Sequence, residues 1–202
     1  MTWAVAVAEF IMAEGLLERF LWLEFPKLDV QEGGGAAVRR MGQTLVKYLQ
    51  DKGVLFRKAH AAYEDVIKRK VAHWVVAGMA RVGQLHRLFA DSLYTAPVPT
   101  PRIPKVLRTP IQRKEFLNTF HDAFCDVLED KAKPLEKKGM QHLAFCLQKS
   151  AELSLFNRWS SLCERELNQI SLATYPRVME IRAEPGYLAL RPALSPLLTE
   201  FH

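Results

Sequence analysis

Three cysteines in 202 residues, Cys125, Cys146 and Cys163, are too few and too odd in number for a disulfide framework. None stands in a Cys-x-x-Cys or Cys/His spacing of the kind that holds zinc. The signatures of common enzyme classes are missing too: there is no His-Glu-x-x-His, no Gly-x-Ser-x-Gly and no Walker sequence. Gly33, Gly34 and Gly35 form a run, but no strand-like segment leads into it and no Gly-Lys-Ser/Thr follows, so it reads as a flexible connector. Long hydrophobic runs are also lacking. Met1 to Leu23 is apolar, yet Glu9, Glu14, Glu18 and Arg19 interrupt it, which fits neither a signal peptide nor the run of about twenty apolar residues that spans a bilayer. The expectation is a chain without a membrane span, either cytoplasmic or part of a longer exported protein. Charge of one sign is not gathered either. The net charge is +6 and the pI near 9.3, but the cations are spread among acids, a weak footing for nucleic-acid binding.

What is present is helical period. Nearly half of the residues, 49%, are hydrophobic, enough for a core, and they recur at three- and four-residue steps in five stretches. The first runs from Trp3 to Phe25, with Val7, Phe10, Ile11, Leu17, Phe20, Leu21 and Leu23 on a wide face and Pro26 as its stop. The second carries Val38, Met41, Leu45, Tyr48, Leu49, Leu55, Ala59, Ala62, Tyr63 and Val66 and ends near Arg69. The third covers Val71 to Leu93, with Val75, Met79, Val82, Leu85, His86 and Phe89 inward and Gly83 where a neighbouring helix comes close. Thr109 followed by Pro110 opens a fourth helix as N-cap and first-turn residue. Its stripe is Phe116, Phe120, Phe124, Val127, Leu128, Leu135, Leu143, Cys146, Leu147 and Ala151, with a kink or break expected between Lys131 and Pro134. The fifth helix, Phe156 to Ser171, turns Trp159, Leu162, Cys163, Leu167 and Ile170 to one side. The fold class is therefore all-α, with residues 1–171 as one helical domain and 172–202 as an extended or partly ordered tail carrying Pro176, Pro185, Pro192 and Pro196.

One linker, residues 94–109, contains Pro97, Pro99, Pro101 and Pro104 and cannot be helical. Arg102, Lys105 and Arg108 fall in it with no acid among them, so they are the candidate partner-binding cations of a loop expected to project from the helices.

No catalytic residues emerge. His73 and His86 share a helix but lie thirteen residues apart, and at about 100° per residue they point to different faces. Glu164 with Glu166, and Glu64 with Asp65, are spaced so as to separate around a helix and read as solvated faces. Phe116, Phe120 and Phe124 keep one stripe, the pattern of a core rather than of a stacking platform for bases. No cofactor or metal ligand is expected. If the fourth and fifth helices form a hairpin turning just before Asn157, Cys146 and Cys163 face each other within the roughly 4.4–6.8 Å that a disulfide needs. They would bond in an oxidising compartment and stay as packed thiols in a reducing one.

Two segments match when aligned on a lysine: Lys58-Ala59-His60-Ala61-Ala62-Tyr63-Glu64-Asp65-Val66 and Lys138-Gly139-Met140-Gln141-His142-Leu143-Ala144-Phe145-Cys146. A small residue followed by larger apolar ones is the second-helix pattern of a tetratricopeptide repeat, and Trp74, Ala77, Val82-Gly83 and His86 resemble the first-helix pattern. The spacing is irregular and the proline linker is inserted, so the expectation is a degenerate tetratricopeptide-like array of about five antiparallel helices. Further pieces are Arg81-Val82-Gly83-Gln84-Leu85, Phe89-Ala90-Asp91-Ser92-Leu93, Ala96-Pro97-Val98-Pro99 and Lys133-Pro134-Leu135-Glu136-Lys137-Lys138. Others are Glu152 to Trp159, Cys163-Glu164-Arg165-Glu166-Leu167-Asn168, Tyr175-Pro176 and Arg182-Ala183-Glu184-Pro185-Gly186-Tyr187. With these the chain resembles the C-terminal part of the tetratricopeptide-type adventurous gliding motility proteins of myxobacteria and related bacteria. The resemblance implies a non-enzymatic scaffold, exported to the periplasm or outer membrane, that binds other proteins of an envelope assembly. It carries over no catalytic residues. The alternative is a basic helical module that binds nucleic acid or an anionic surface through the linker and the residues after it.

Overall fold

A computed structural model describes residues 2–28, 30 and 34–176, and among them every regular element is a helix. The order is α1 (Thr2–Trp22), α2 (Gly34–Lys68), α3 (Ala72–Tyr94), α4 (Pro110–Glu152) and α5 (Arg158–Ile170). The tail assigned to 172–202 lies outside the described residues from 177 onward. The glycine run is not wholly a connector, because α2 begins at Gly34.

Local chemistry sets the ends. Thr109 accepts a bond from the Gln112 amide at 3.2 Å while Gln112 Oε1 accepts one from the Thr109 amide at 3.3 Å, a capping box with Pro110 in the first turn. Asn157 does the same for α5: its Oδ1 accepts from the Trp159 amide at 2.8 Å and the Ser160 amide at 3.4 Å. That cap starts α5 at Arg158 and leaves Phe156 outside it. At the other end of the same turn Ser154 has φ 51°, and the Leu155 amide donates to the Ser150 carbonyl at 2.8 Å, closing α4 with a Schellman-type reversal.

α4 is one helix across Pro134, with no break. The proline removes one backbone donor, but Leu128 and Ala132 before it and Gly139 and Leu143 after it are all buried, so packing on both sides holds the helix together.

α3 is the central element and touches all four others. Two glycines let it approach its neighbours. A Cβ on Gly78 would lie 2.8 Å from Ile67 of α2, and one on Gly83 would lie 2.6 Å from Leu143 Cγ of α4. The expected role of Gly83 thus holds, and Gly139 meets it from the other side, its would-be Cβ 3.2 Å from the Gly83 carbonyl oxygen. At the far side Phe10 of α1 packs its ring against Tyr63, Trp74 and Trp159, at 5.7, 5.0 and 5.3 Å, and so joins four helices in one aromatic cluster.

The expected core stripes need correction on three helices: on α2, Val38 is exposed. On α4 only Phe124 of the three phenylalanines is buried; Phe116 and Phe120 are half-buried and Val127 is exposed. No residue of α4 before Phe124 is buried, because α4 is far longer than α3 and its N-terminal turns extend past the packed region. On α1, Phe10, Leu17 and Phe20 are buried as expected, but Ile11 and Leu21 face outward. Among the described residues no helix is long and apolar enough to cross a membrane.

Candidate functional site

His60 of α2 and His142 of α4 meet beside His86 of α3, the helix that packs against both. One ligand-capable atom from each lies within 4.8 Å of the others. The ring centroids of His60 and His86 are 5.4 Å apart, those of His86 and His142 5.0 Å, and those of His60 and His142 6.0 Å. The close α3–α4 crossing fixes this placement, since Gly83 and Gly139 each stand one turn before a histidine and the Gly139 Cβ position is 3.3 Å from His86 Cβ. Phe56 closes the inner side, its ring edge-on to His86 at 4.8 Å.

His86 is buried, and its Nδ1 lies 2.9 Å from the Val82 carbonyl oxygen. Only an N–H can bond there, so the neutral ring carries its proton on Nδ1 and its lone pair on Nε2. Burial pushes the His86 imidazole down to about 4, against the Val82 bond, and the neighbouring His142, His60 and Lys138 lower it further. His142 is also lowered, first by burial and then by His60. His60 Nδ1 is 3.7 Å from Glu64 Oε1, one turn along α2. A groove of ≈ 320 Å³ opens onto His60 and His142, walled by Glu64, Met79, Val82 and Phe145. These are residues that could hold a metal ion. Their spacing in the sequence does not reveal them, because the three histidines stand on three different helices. The available signal was that His86 lies on the inward stripe of α3 while His60 and His142 each adjoin a residue of a buried stripe, Ala59 and Leu143.

A second polar group ties α1, α2, α3 and α5. Glu14 accepts from the Tyr63 hydroxyl at 2.5 Å and from Arg81 Nε and Nη2 at 2.9 and 2.6 Å. Arg81 also donates to Gln84 at 2.5 Å, and Arg87 pairs with Glu166. Glu166 is therefore not on a solvated face as its spacing suggested, since its side chain is only 12% exposed and is held by Arg87. These acids are used up by fixed partners, an arrangement that orients helices.

The sites expected from sequence fall elsewhere. Cys146 and Cys163 face each other across the α4–α5 hairpin with Cα atoms 6.5 Å apart, and they are joined as a disulfide. Cys125 is the free thiol. Arg102, Lys105 and Arg108 are exposed. Their linker does not project as a whole, because Ala96 and Val98 pack against the core near Phe124 and Leu128. Its basic half is the part held less closely, with Arg113 Nε donating to the Leu107 carbonyl at 3.0 Å.

The outer face of α1 is the other notable surface. Ile11 and Met12 are each 64% exposed and Trp22 is 83% exposed, with Val5 also outward, while Trp3 packs its ring edge-on against Trp74 at 6.2 Å. Exposed large apolar side chains grouped on one helix are a feature of interaction surfaces. Compared with known proteins, the chain matches no family model, no curated protein and no solved structure, so no match identifies the gliding-motility family.

Proposed function

We propose that this chain is a non-enzymatic helical scaffold that binds another protein through the outer face of α1. The observation that carries the reading is the exposure of Ile11, Met12 and Trp22 on that helix, whose opposite face is locked into the core by Phe10, Leu17 and Phe20. Exposed apolar side chains on a well-anchored helix present a partner with a surface whose backbone is already ordered. The resemblance to gliding-motility scaffolds supports a partner within a bacterial cell-envelope assembly, and the Cys146–Cys163 bond supports an oxidising compartment such as the periplasm. The tetratricopeptide-like packing of the helix pairs is part of the same proposal.

The test is co-purification. A stoichiometric partner protein held by the native chain should be lost in the Ile11→Glu/Met12→Glu variant at unchanged helical content. Retention of the partner by that variant contradicts the reading.

A second reading rests on Arg102, Lys105 and Arg108, which are exposed and carry no acid in their own segment. They suit a nucleic acid or another anionic surface. Micromolar binding to a single-stranded oligonucleotide that falls steeply with salt, and disappears when all three become glutamate, would favour it over the first.

A further inference from the structure

We propose that His60, His86 and His142 form a binding site for one divalent transition-metal ion of the zinc class, held by three imidazole nitrogens with its remaining side open to the groove. The donor set is three nitrogens, which suits zinc, nickel or copper and does not suit calcium or magnesium, whose ligands are oxygens. Three histidines with a fourth position left to water or a carboxylate is a recurrent zinc arrangement. Around a tetrahedral ion with bonds of about 2.0 Å the nitrogens stand roughly 3.3 Å apart. The present separations are within 4.8 Å, and rotation of the side chains is what would bring them to that distance.

Three further features fit an ion. The Val82 carbonyl holds the His86 Nδ1 proton at 2.9 Å, the outer bond that fixes tautomer and ring angle in metal-ligating histidines. Glu64, 3.7 Å from His60 Nδ1, is placed to do the same for His60 or to take the fourth position. The groove of ≈ 320 Å³ supplies an entry path and room for a bound water. Lys68 on the groove wall and Lys138 near the rings oppose a cation, and Glu64 favours it. The ligands come from α2, α3 and α4, so the ion would cross-link three helices and make their stability depend on metal concentration. This site is independent of the proposed α1 docking face.

The experiment uses the full chain, stripped with chelator, its disulfide intact, and titrated with zinc sulfate by calorimetry. One equivalent should bind with a micromolar or lower Kd, raise the thermal midpoint, and be replaceable by Co²⁺ with the visible spectrum of a four-coordinate ion. His60→Gln and His142→Gln, both at half-buried positions, should each weaken zinc by ~10-fold or more while retaining native circular dichroism. His121→Gln is the control: its ring nitrogen lies 3.8 Å from Cys125 Sγ on the exposed side of α4, the other place where zinc could attach. That variant should bind as the native chain does. No zinc binding by calorimetry, or binding lost in His121→Gln and kept in His60→Gln, overturns the proposal and leaves the triad as a packed ring cluster.

Discussion

Alanine at position 83 adds a Cβ whose ideal position is 2.6 Å from Leu143 Cγ, 2.7 Å from its Cδ2 and 3.1 Å from its backbone nitrogen. Leu143 is fully buried, and a backbone atom cannot swing aside, so α3 and α4 must separate or tilt. Overpacking of this kind costs typically ~1–3 kcal/mol. The glycine-to-alanine gain in helix propensity, about 1 kcal/mol, offsets part of it. With backbone among the clashing atoms the upper part of the range applies, and Gly83→Ala should lose ~2 kcal/mol, or about 4–8 °C in thermal midpoint for a chain of this size. Gly15→Ala on α1 is the counterpart, because a Cβ there meets nothing within 4 Å. It should gain ~1 kcal/mol from propensity alone. Urea unfolding followed by circular dichroism, in chelator, measures both. The same chemical change should thus act with opposite sign at two helical glycines, separated by ~3 kcal/mol. Equal stabilisation by both would refute the close α3–α4 crossing and, with it, the frame that sets the histidine cluster.

Lys52 is buried and donates to the Phe20 and Leu23 carbonyls at 2.6 and 2.7 Å, satisfying the end of α1 from α2. Lys52→Met should cost ~1–3 kcal/mol by urea unfolding, and a stabilised variant would mean that desolvation of the ammonium outweighs its bonds. His86 predicts acid sensitivity: its folded pKa of about 4 lies below the unfolded value near 6.5, so its contribution is intact above about pH 6.5 and is lost as pH falls toward about 4. The loss is up to ~3 kcal/mol by linkage, with His60 on α2 and His142 and Lys138 on α4 acting on the ring. Comparing the pH slope of the native chain with that of His86→Gln in chelator isolates it, and parallel slopes would contradict it. Thiol counting on the unfolded, unreduced chain should find one free cysteine, Cys125, and three would reject the Cys146–Cys163 bond. Its loss should cost about 3 kcal/mol on a chain-entropy estimate for a loop of this length.

Helix positions were legible because a buried stripe repeats locally, and Thr109-Pro110 announced a start that its capping box realises. The Cys146–Cys163 facing was legible too, since a tight hairpin converts sequence distance into register. Periodicity could not say whether a stripe has a neighbour. Phe116 and Phe120 repeat like Phe124, yet only Phe124 of the three is buried, and Ile11 shares a sequence pattern with Phe10 while facing out. Pro134 misled for a related reason, because local propensity favours a break and tertiary packing on both sides outweighs it. The histidine cluster was illegible because residues 60, 86 and 142 come together only through two helix crossings, and no local spacing encodes that.

The most direct test of the protein-binding account is photo-crosslinking from a reactive amino acid at position 12 in the source cell, on the outward face of α1. The account predicts one dominant adduct that joins this chain to a different protein and is absent when the reactive residue replaces buried Ala13. Adducts only with lipid, with nucleic acid or within the chain itself would contradict it.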